Sequence, residues 1–186
     1  VSRSLRLLGG VRVENSRIDV TTVSGENGLR PVAARLRNTD LLPSLALTAA
    51  LTSTQNLRLS ASQTLSRPEY RELAEVGFLA EPIGGKRIYG NSHLQRSLIQ
   101  NLDLRWEWYP RSGEAISVAG FYKHFQRPIE RVLVQTSDGN APDVTFQNAR
   151  SANNYGVELE LRKRLDGIGL SPFTIFTNAA LMRSRI

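Results

Sequence analysis

The side chains able to do chemistry in this chain are few, and their spacing is poor. It has two histidines, His93 and His124, and no cysteine. That excludes thiolate ligands, thiol redox chemistry and a disulfide framework. His124 lies between Lys123 and Phe125 with no second histidine nearby in sequence, which reads as a wall residue and not as a metal ligand. Serine, histidine and aspartate are all present, but no G-x-S-x-G elbow places a nucleophile. Gly84-Gly85-Lys86 lacks both the upstream glycine and the following Ser or Thr of a phosphate cradle, so it reads as a turn. No catalytic residue, cofactor site or metal site is expected, and the chain is not expected to be an enzyme. One group remains. Arg67, Tyr70, Arg71, Lys86, Arg87, Tyr89 and His93 fall within the polar stretch 66–97, and together they suit an anionic ligand. The same stretch also has a purely local reading. Ser66 and Glu69 stand at capping-box spacing with Pro68 in the first turn, which predicts a short helix over 68–74.

Those residues need a scaffold, and the scaffold shows as a period of two. Leu57, Leu59, Ala61 and Leu65 alternate with Arg58, Ser60, Ser62 and Thr64. Leu45, Leu47, Ala49 and Leu51 alternate with Ser44, Thr48 and Thr52. Residues 101–108 set Leu102, Leu104, Trp106 and Trp108 against Asn101, Asp103, Arg105 and Glu107. Tyr155, Val157, Leu159 and Leu161 alternate with Asn154, Glu158, Glu160 and Arg162. An opening segment over 3–13 and two looser ones over 116–125 and 171–182 bring the total to about seven strands.

The connections have a rhythm of their own. Short joins at Ser53-Thr54-Gln55, Pro110-Arg111-Ser112-Gly113 and Asp166-Gly167-Ile168-Gly169 carry turn chemistry. Long polar joins are expected over 24–40, 66–97 and 127–152. Short and long take turns, as in a transmembrane β-barrel with tight turns at one end and long loops at the other. No window reaches the ~18 to 20 apolar residues of a spanning helix, but a barrel strand needs only ~9 to 11. The chain starts without an apolar leader core. Its net charge of +7 and pI near 10.4 come from basic residues spread along the chain, which argues against a nucleic-acid partner.

On this reading Trp106 and Trp108 lie on the lipid face beside the turn at Pro110, where an aromatic belt meets headgroups. Arg58, Asp103, Arg105, Glu107, Lys123, Glu158, Glu160 and Arg162 line the opposite, water-filled face.

Several pieces in order resemble the TonB-dependent receptors. Leu57 to Leu73 contains Ser66-Arg67-Pro68-Glu69, similar to the S-R-P-[EF] end of a rising strand in that family. Gly90-Asn91-Ser92-His93-Leu94 resembles its G-N-P-x-L, with Ser92 where proline is usual. Asn101-Leu102-Asp103-Leu104-Arg105-Trp106-Glu107-Trp108-Tyr109 resembles N-x-D-L-x-x-E-x-Y. Phe121-Tyr122-Lys123 and then Asn148 to Glu160 match the two strands that follow. The resemblance covers about 40–165.

It implies an all-β, antiparallel up-and-down barrel of about 22 strands in the outer membrane of a Gram-negative bacterium. An N-terminal plug and the TonB–ExbB–ExbD complex would then drive uptake of a scarce small ligand: a ferric siderophore, cobalamin or a glycan. The 186 residues are expected to be one part of that barrel domain, without the plug and without a terminal aromatic, embedded in outer-membrane lipid. Two other readings stay open: a small complete barrel with a structural or adhesive role, and a soluble β-sandwich binding module. An open sheet with free edges at 3–13 and 171–182 would favour the receptor.

Overall fold

The computed structural model of the chain describes residues 4–24, 30–79, 87–135 and 142–186. Eleven strands are present among them: β1 (Leu5–Ser24), β2 (Arg30–Ala50), β3 (Gln55–Ser66), β4 (Gly77–Leu79), β5 (Arg87–Tyr89), β6 (Ser97–Trp108), β7 (Ala115–Gln126), β8 (Ile129–Val134), β9 (Asp143–Asn148), β10 (Ser151–Leu165) and β11 (Leu170–Arg185). One helical turn, α1 (Tyr70–Leu73), follows β3.

Seven strands form one antiparallel sheet in the order β1-β2-β3-β6-β7-β10-β11, and the other four form a small sheet in the order β4-β5-β9-β8. The large sheet is a single open layer. Its edges, β1 and β11, do not pair with each other among the described residues. Both edges fall on the expected segments. That open layer overturns the closed small barrel, and its bare apolar face overturns the two-layered sandwich.

Register fixes the two faces, because directly paired residues share a side. Leu59 stands opposite Leu47 and Leu104, and Leu104 opposite Gly120. Arg58 stands opposite Arg105, and Ala119 opposite Glu158. One face is therefore lined by Leu7, Leu45, Leu59, Leu104, Val157 and Leu181, all well exposed. An apolar sheet face this large and this bare is a lipid-facing surface. Trp106 and Trp108 stack at its inner end, with ring centroids 6.4 Å apart. The charges expected there, Arg58, Asp103, Arg105, Glu107, Lys123, Glu158, Glu160 and Arg162, all lie on the other face.

Short turns form at the expected places. Gly113 and Gly169 both hold left-handed backbone there, at φ 82° and 81°, and Gly169 closes its turn by donating to the Asp166 carbonyl at 3.1 Å. Leu51, expected on the strand face, lies in the first turn, where its N–H reaches the Gln55 carbonyl at 2.9 Å.

The long joins differ from expectation. Most of 24–40 is strand: β1 and β2 pair without a break from Leu5 opposite Ala49 to Ser24 opposite Arg30. Residues 66–97 contain α1, β4 and β5, and 127–152 contain β8 and β9. The outer polar boundary explains the first difference. Below Asn15 the apolar residues Val11 and Val13 point outward to lipid, whereas above it Ile18 and Val20 point inward with Ala34 and Leu36. Apolar side chains change sides where lipid gives way to water outside and to packed loops inside.

Candidate functional site

The inner face of the β1–β2 extension carries a small apolar core. Ala34 and Leu36 pack with Leu73 of α1, Leu94 and Phe146 of β9, joined by Ile18, Val20, Ile88 and Ile129. The described parts of 66–97 and 127–151 thus fold inward over the lumen side and form a cap at the mouth. One parallel contact, Ile88 opposite Val144, joins them.

Two asparagines fasten the cap. The Asn91 side-chain amide donates to the Phe146 carbonyl at 2.8 Å, its side-chain oxygen accepts from the His93 N–H at 2.9 Å, and its backbone N–H donates to the Glu72 carbonyl at 2.6 Å. The Asn148 amide donates to the carbonyls of Gln95 and Arg127 at 2.9 and 2.8 Å, and its oxygen accepts from the Gln95 N–H. Gly90 lets the chain pass the end of α1, since a Cβ there would lie 2.2 Å from the Ala74 carbonyl oxygen. The capping box at α1 sits three residues later than expected. Glu69 is the cap, and its N–H donates to the Glu72 carboxylate at 2.9 Å, because Ser66 is still in β3, paired with Ser97.

Beneath the cap lies a buried ionic knot. Asp40, 3% exposed, is held by Arg96. Arg67 reaches Glu14 at 2.8 Å, Ser16 at 3.0 Å and the Asp40 carboxylate at 3.8 Å. Asp40 and Arg96 were both hidden from sequence inspection, each near the end of an expected loop, 24–40 and 66–97. The signal that finds Asp40 is its even spacing with Leu42 and Ser44 on the lumen face of β2. Further down the wall, Arg58 pairs with Glu107 at 3.0 Å, Glu107 with Arg105 at 3.1 Å, and Arg105 with Glu160 at 2.8 Å, a ladder across β3, β6 and β10.

The expected ligand residues separate into two groups. Arg67 is committed to the knot. Tyr89 is half-buried: its ring stands against Gly77, and its carbonyl accepts from Thr145 at 3.1 Å. Tyr70 is 71% exposed, and Arg71, Arg87 and His93 are exposed as well. Arg71 and Arg87 each have an interaction partner. The His93 ring lies 3.3 Å from the Ser92 hydroxyl. Lys86, with the turn at Gly84-Gly85, lies outside the described residues. A cleft of about 400 Å³ opens between cap and wall, lined among others by Arg67, Glu69, Glu72, Glu130, Phe125 and Asn154. Among the described residues no group of three or more histidines and carboxylates is placed to hold a metal ion, and no helix is long and apolar enough to cross a membrane.

This arrangement, a lipid-facing wall with a charged inner face and a folded mouth, agrees with the comparison to known families. The family described as TonB dependent receptor-like, beta-barrel matches residues 2–183. The chain belongs to the TonB-dependent receptor β-barrel family. Among solved structures, this receptor segment superposes on the siderophore receptor PirA of Pseudomonas aeruginosa with a TM-score of 0.65 at 18% identity, covering 98% of this chain and 34% of that one. The hemophore receptor HasR of Serratia marcescens, solved with its hemophore HasA and heme, gives a TM-score of 0.65 at 14% identity, covering 85% and 29%. The ferric enterobactin receptor PfeA of Pseudomonas aeruginosa gives 0.53 at 20%, covering 74% and 22%. The receptor segment thus spans about a third or less of the length of each. No curated protein matches it.

Proposed function

We propose that this segment is part of an outer-membrane receptor of a Gram-negative bacterium that takes up a scarce small ligand, powered by the TonB–ExbB–ExbD complex acting through a plug. The observation that carries this reading is the division of the sheet into a bare apolar face and a charged inner face, with a folded cap over the mouth. A barrel that served only as a wall would have no use for loops packed inward on their own apolar core. Exposed Tyr70, Arg71, Arg87 and His93 on that cap are the proposed first contacts for the ligand, and Arg67 supports them from beneath. No residue of the segment is assigned a catalytic role.

Of the three ligand classes, a ferric siderophore is the one supported by the named ligands of PirA and PfeA, and its anionic character suits the basic side chains of the cap. The test uses cells producing the full parent protein, supplied in turn with labelled ferric siderophores, heme, cobalamin and oligosaccharides. Uptake of a ferric siderophore that disappears when TonB is deleted is the expected result. Passage that persists without TonB would overturn the proposal.

A further inference from the structure

One residue of the cap departs from the family pattern around it: Ser92 stands where proline is usual in G-N-P-x-L. A proline has neither an N–H nor a hydroxyl to give. Ser92 uses both, and on the same atom. Its N–H donates to Glu75 Oε1 at 3.3 Å, and its hydroxyl donates to that oxygen in a short contact. The surroundings hold this pair in place. The Gly90 N–H donates to the Ala74 carbonyl at 3.1 Å, next to Glu75, and Asn91 is fixed from both sides by the carbonyls of Glu72 and Phe146. Ser92 and Glu75 are both partly buried.

The hydroxyl has one proton, and the carboxylate takes it. Ser92 Oγ can then only accept from its other neighbour, His93 Nδ1, 3.3 Å away. The His93 backbone is pinned as well, its N–H donating to Asn91 Oδ1 at 2.9 Å. A neutral imidazole in this setting carries its proton on Nδ1, and the lone pair lies on Nε2. That is the reverse of a free histidine side chain in water, which keeps its proton mainly on Nε2. Donating one ring N–H to an anchored acceptor fixes the tautomer and the ring, and it raises the basicity of the other nitrogen.

We propose that Ser92, with Glu75 behind it, is a positioning residue of the cap: it holds the exposed His93 ring with Nδ1–H toward Ser92 and offers Nε2 to the ligand as a hydrogen-bond acceptor. This rests on the reading of the cap as the ligand's first contact, and it narrows the ligand. Arg71 and Arg87 meet anionic oxygens while His93 meets a donor, so the ligand carries an N–H or O–H group beside its anionic oxygens.

The first test needs no ligand. The full parent receptor, isotopically labelled in its histidine nitrogens and held in detergent, is read by NMR at about pH 8, where imidazole is neutral. The His93 signals are assigned by their loss in His93→Gln. Nδ1 is expected to be the protonated nitrogen in the native receptor and in Ser92→Thr. Ser92→Ala and Glu75→Ala should move the proton to Nε2, the first by removing the acceptor and the second by freeing the hydroxyl to donate. The second test measures binding of a ferric tris-catecholate with amide N–H groups in its arms, and of its N-methylated counterpart. The native receptor should bind the N–H chelate about fivefold more tightly. Ser92→Ala should bind the two alike, and Ser92→Thr should restore the difference. A native receptor protonated on Nε2, a proton that stays on Nδ1 in both alanine variants, or equal binding of the two chelates by the native receptor, zero included, would overturn the proposal. Uptake that persists without TonB while both results hold would instead fault the transport reading alone.

Discussion

Gly156 of β10 stands opposite Phe121 of β7, and the Phe121 ring occupies the space that a side chain at 156 would need. A Cβ there would lie 2.9 Å from the ring and 2.4 Å from the Leu181 carbonyl oxygen of β11. Glycine inside a strand commonly marks such a close approach. Gly156→Val in the parent is expected to reduce severely the folded, heat-modifiable form recovered from outer membranes. Gly120→Ala, whose nearest contact is 3.9 Å away, should leave it unchanged. Equal recovery of both variants would refute this role of the ring.

The cap should depend on its asparagines more than on any exposed residue. Asn91→Ala leaves the Phe146 carbonyl and the His93 N–H without partners, a loss of about 1 to 3 kcal/mol to the local fold. Hydrogen exchange across 87–97 and 143–148 should accelerate by one to two orders of magnitude while exchange in β6 and β7 stays slow. Unchanged exchange across the cap would show that the apolar core alone holds it.

Breaking the knot at one end should cost more than removing it. Arg96→Leu leaves the buried Asp40 carboxylate with Arg67 alone, 3.8 Å away, and losing one partner of a buried pair typically costs about 3 to 5 kcal/mol. Adding Asp40→Leu should restore part of that stability, as read by thermal denaturation of the purified parent. A double variant no better than Arg96→Leu alone would place the loss elsewhere.

Leu104 and Arg105 are neighbours in the chain and face different solvents. Leu104→Arg puts a charge in lipid near the midplane, costing about 2 to 4 kcal/mol, and should impair membrane assembly. Arg105→Leu leaves Glu107 its partner Arg58 and should assemble far better. Similar damage from both would contradict the face assignment.

The faces were legible in the sequence because each membrane span has one apolar side, so Leu57 to Leu65 and Tyr155 to Leu161 declare themselves within a few residues. The upper halves of β1 and β2 were not legible, because the apolar set changes phase. Val13 faces out and Ile18 faces in, so a reader following one phase stops near Glu14 and takes the rest for loop. The strands β4, β5, β8 and β9 escape for another reason. They are short, and β5 and β9 find each other across distant loops, so no local pattern records the partnership. The cap staples were visible as motif residues, Asn91 and Asn148, but their partners, the carbonyls of Phe146 and Gln95, carry no side-chain signature. The pairing of Arg67 with Glu14 and Asp40 was not legible, because those partners lie far away in the chain.

The parallel contact between Ile88 and Val144 has a consequence for the order in which the molecule is built. Neighbours in the large sheet follow one another along the chain apart from the loops, so the wall can grow hairpin by hairpin. The cap has no such route: Ile88 and Val144 are separated by β6, β7 and β8. Contacts between distant segments form only after the intervening chain has been brought together. The cap is therefore expected to organise last in this segment, and a stalled assembly intermediate would carry a finished lipid-facing wall beneath an unformed cap.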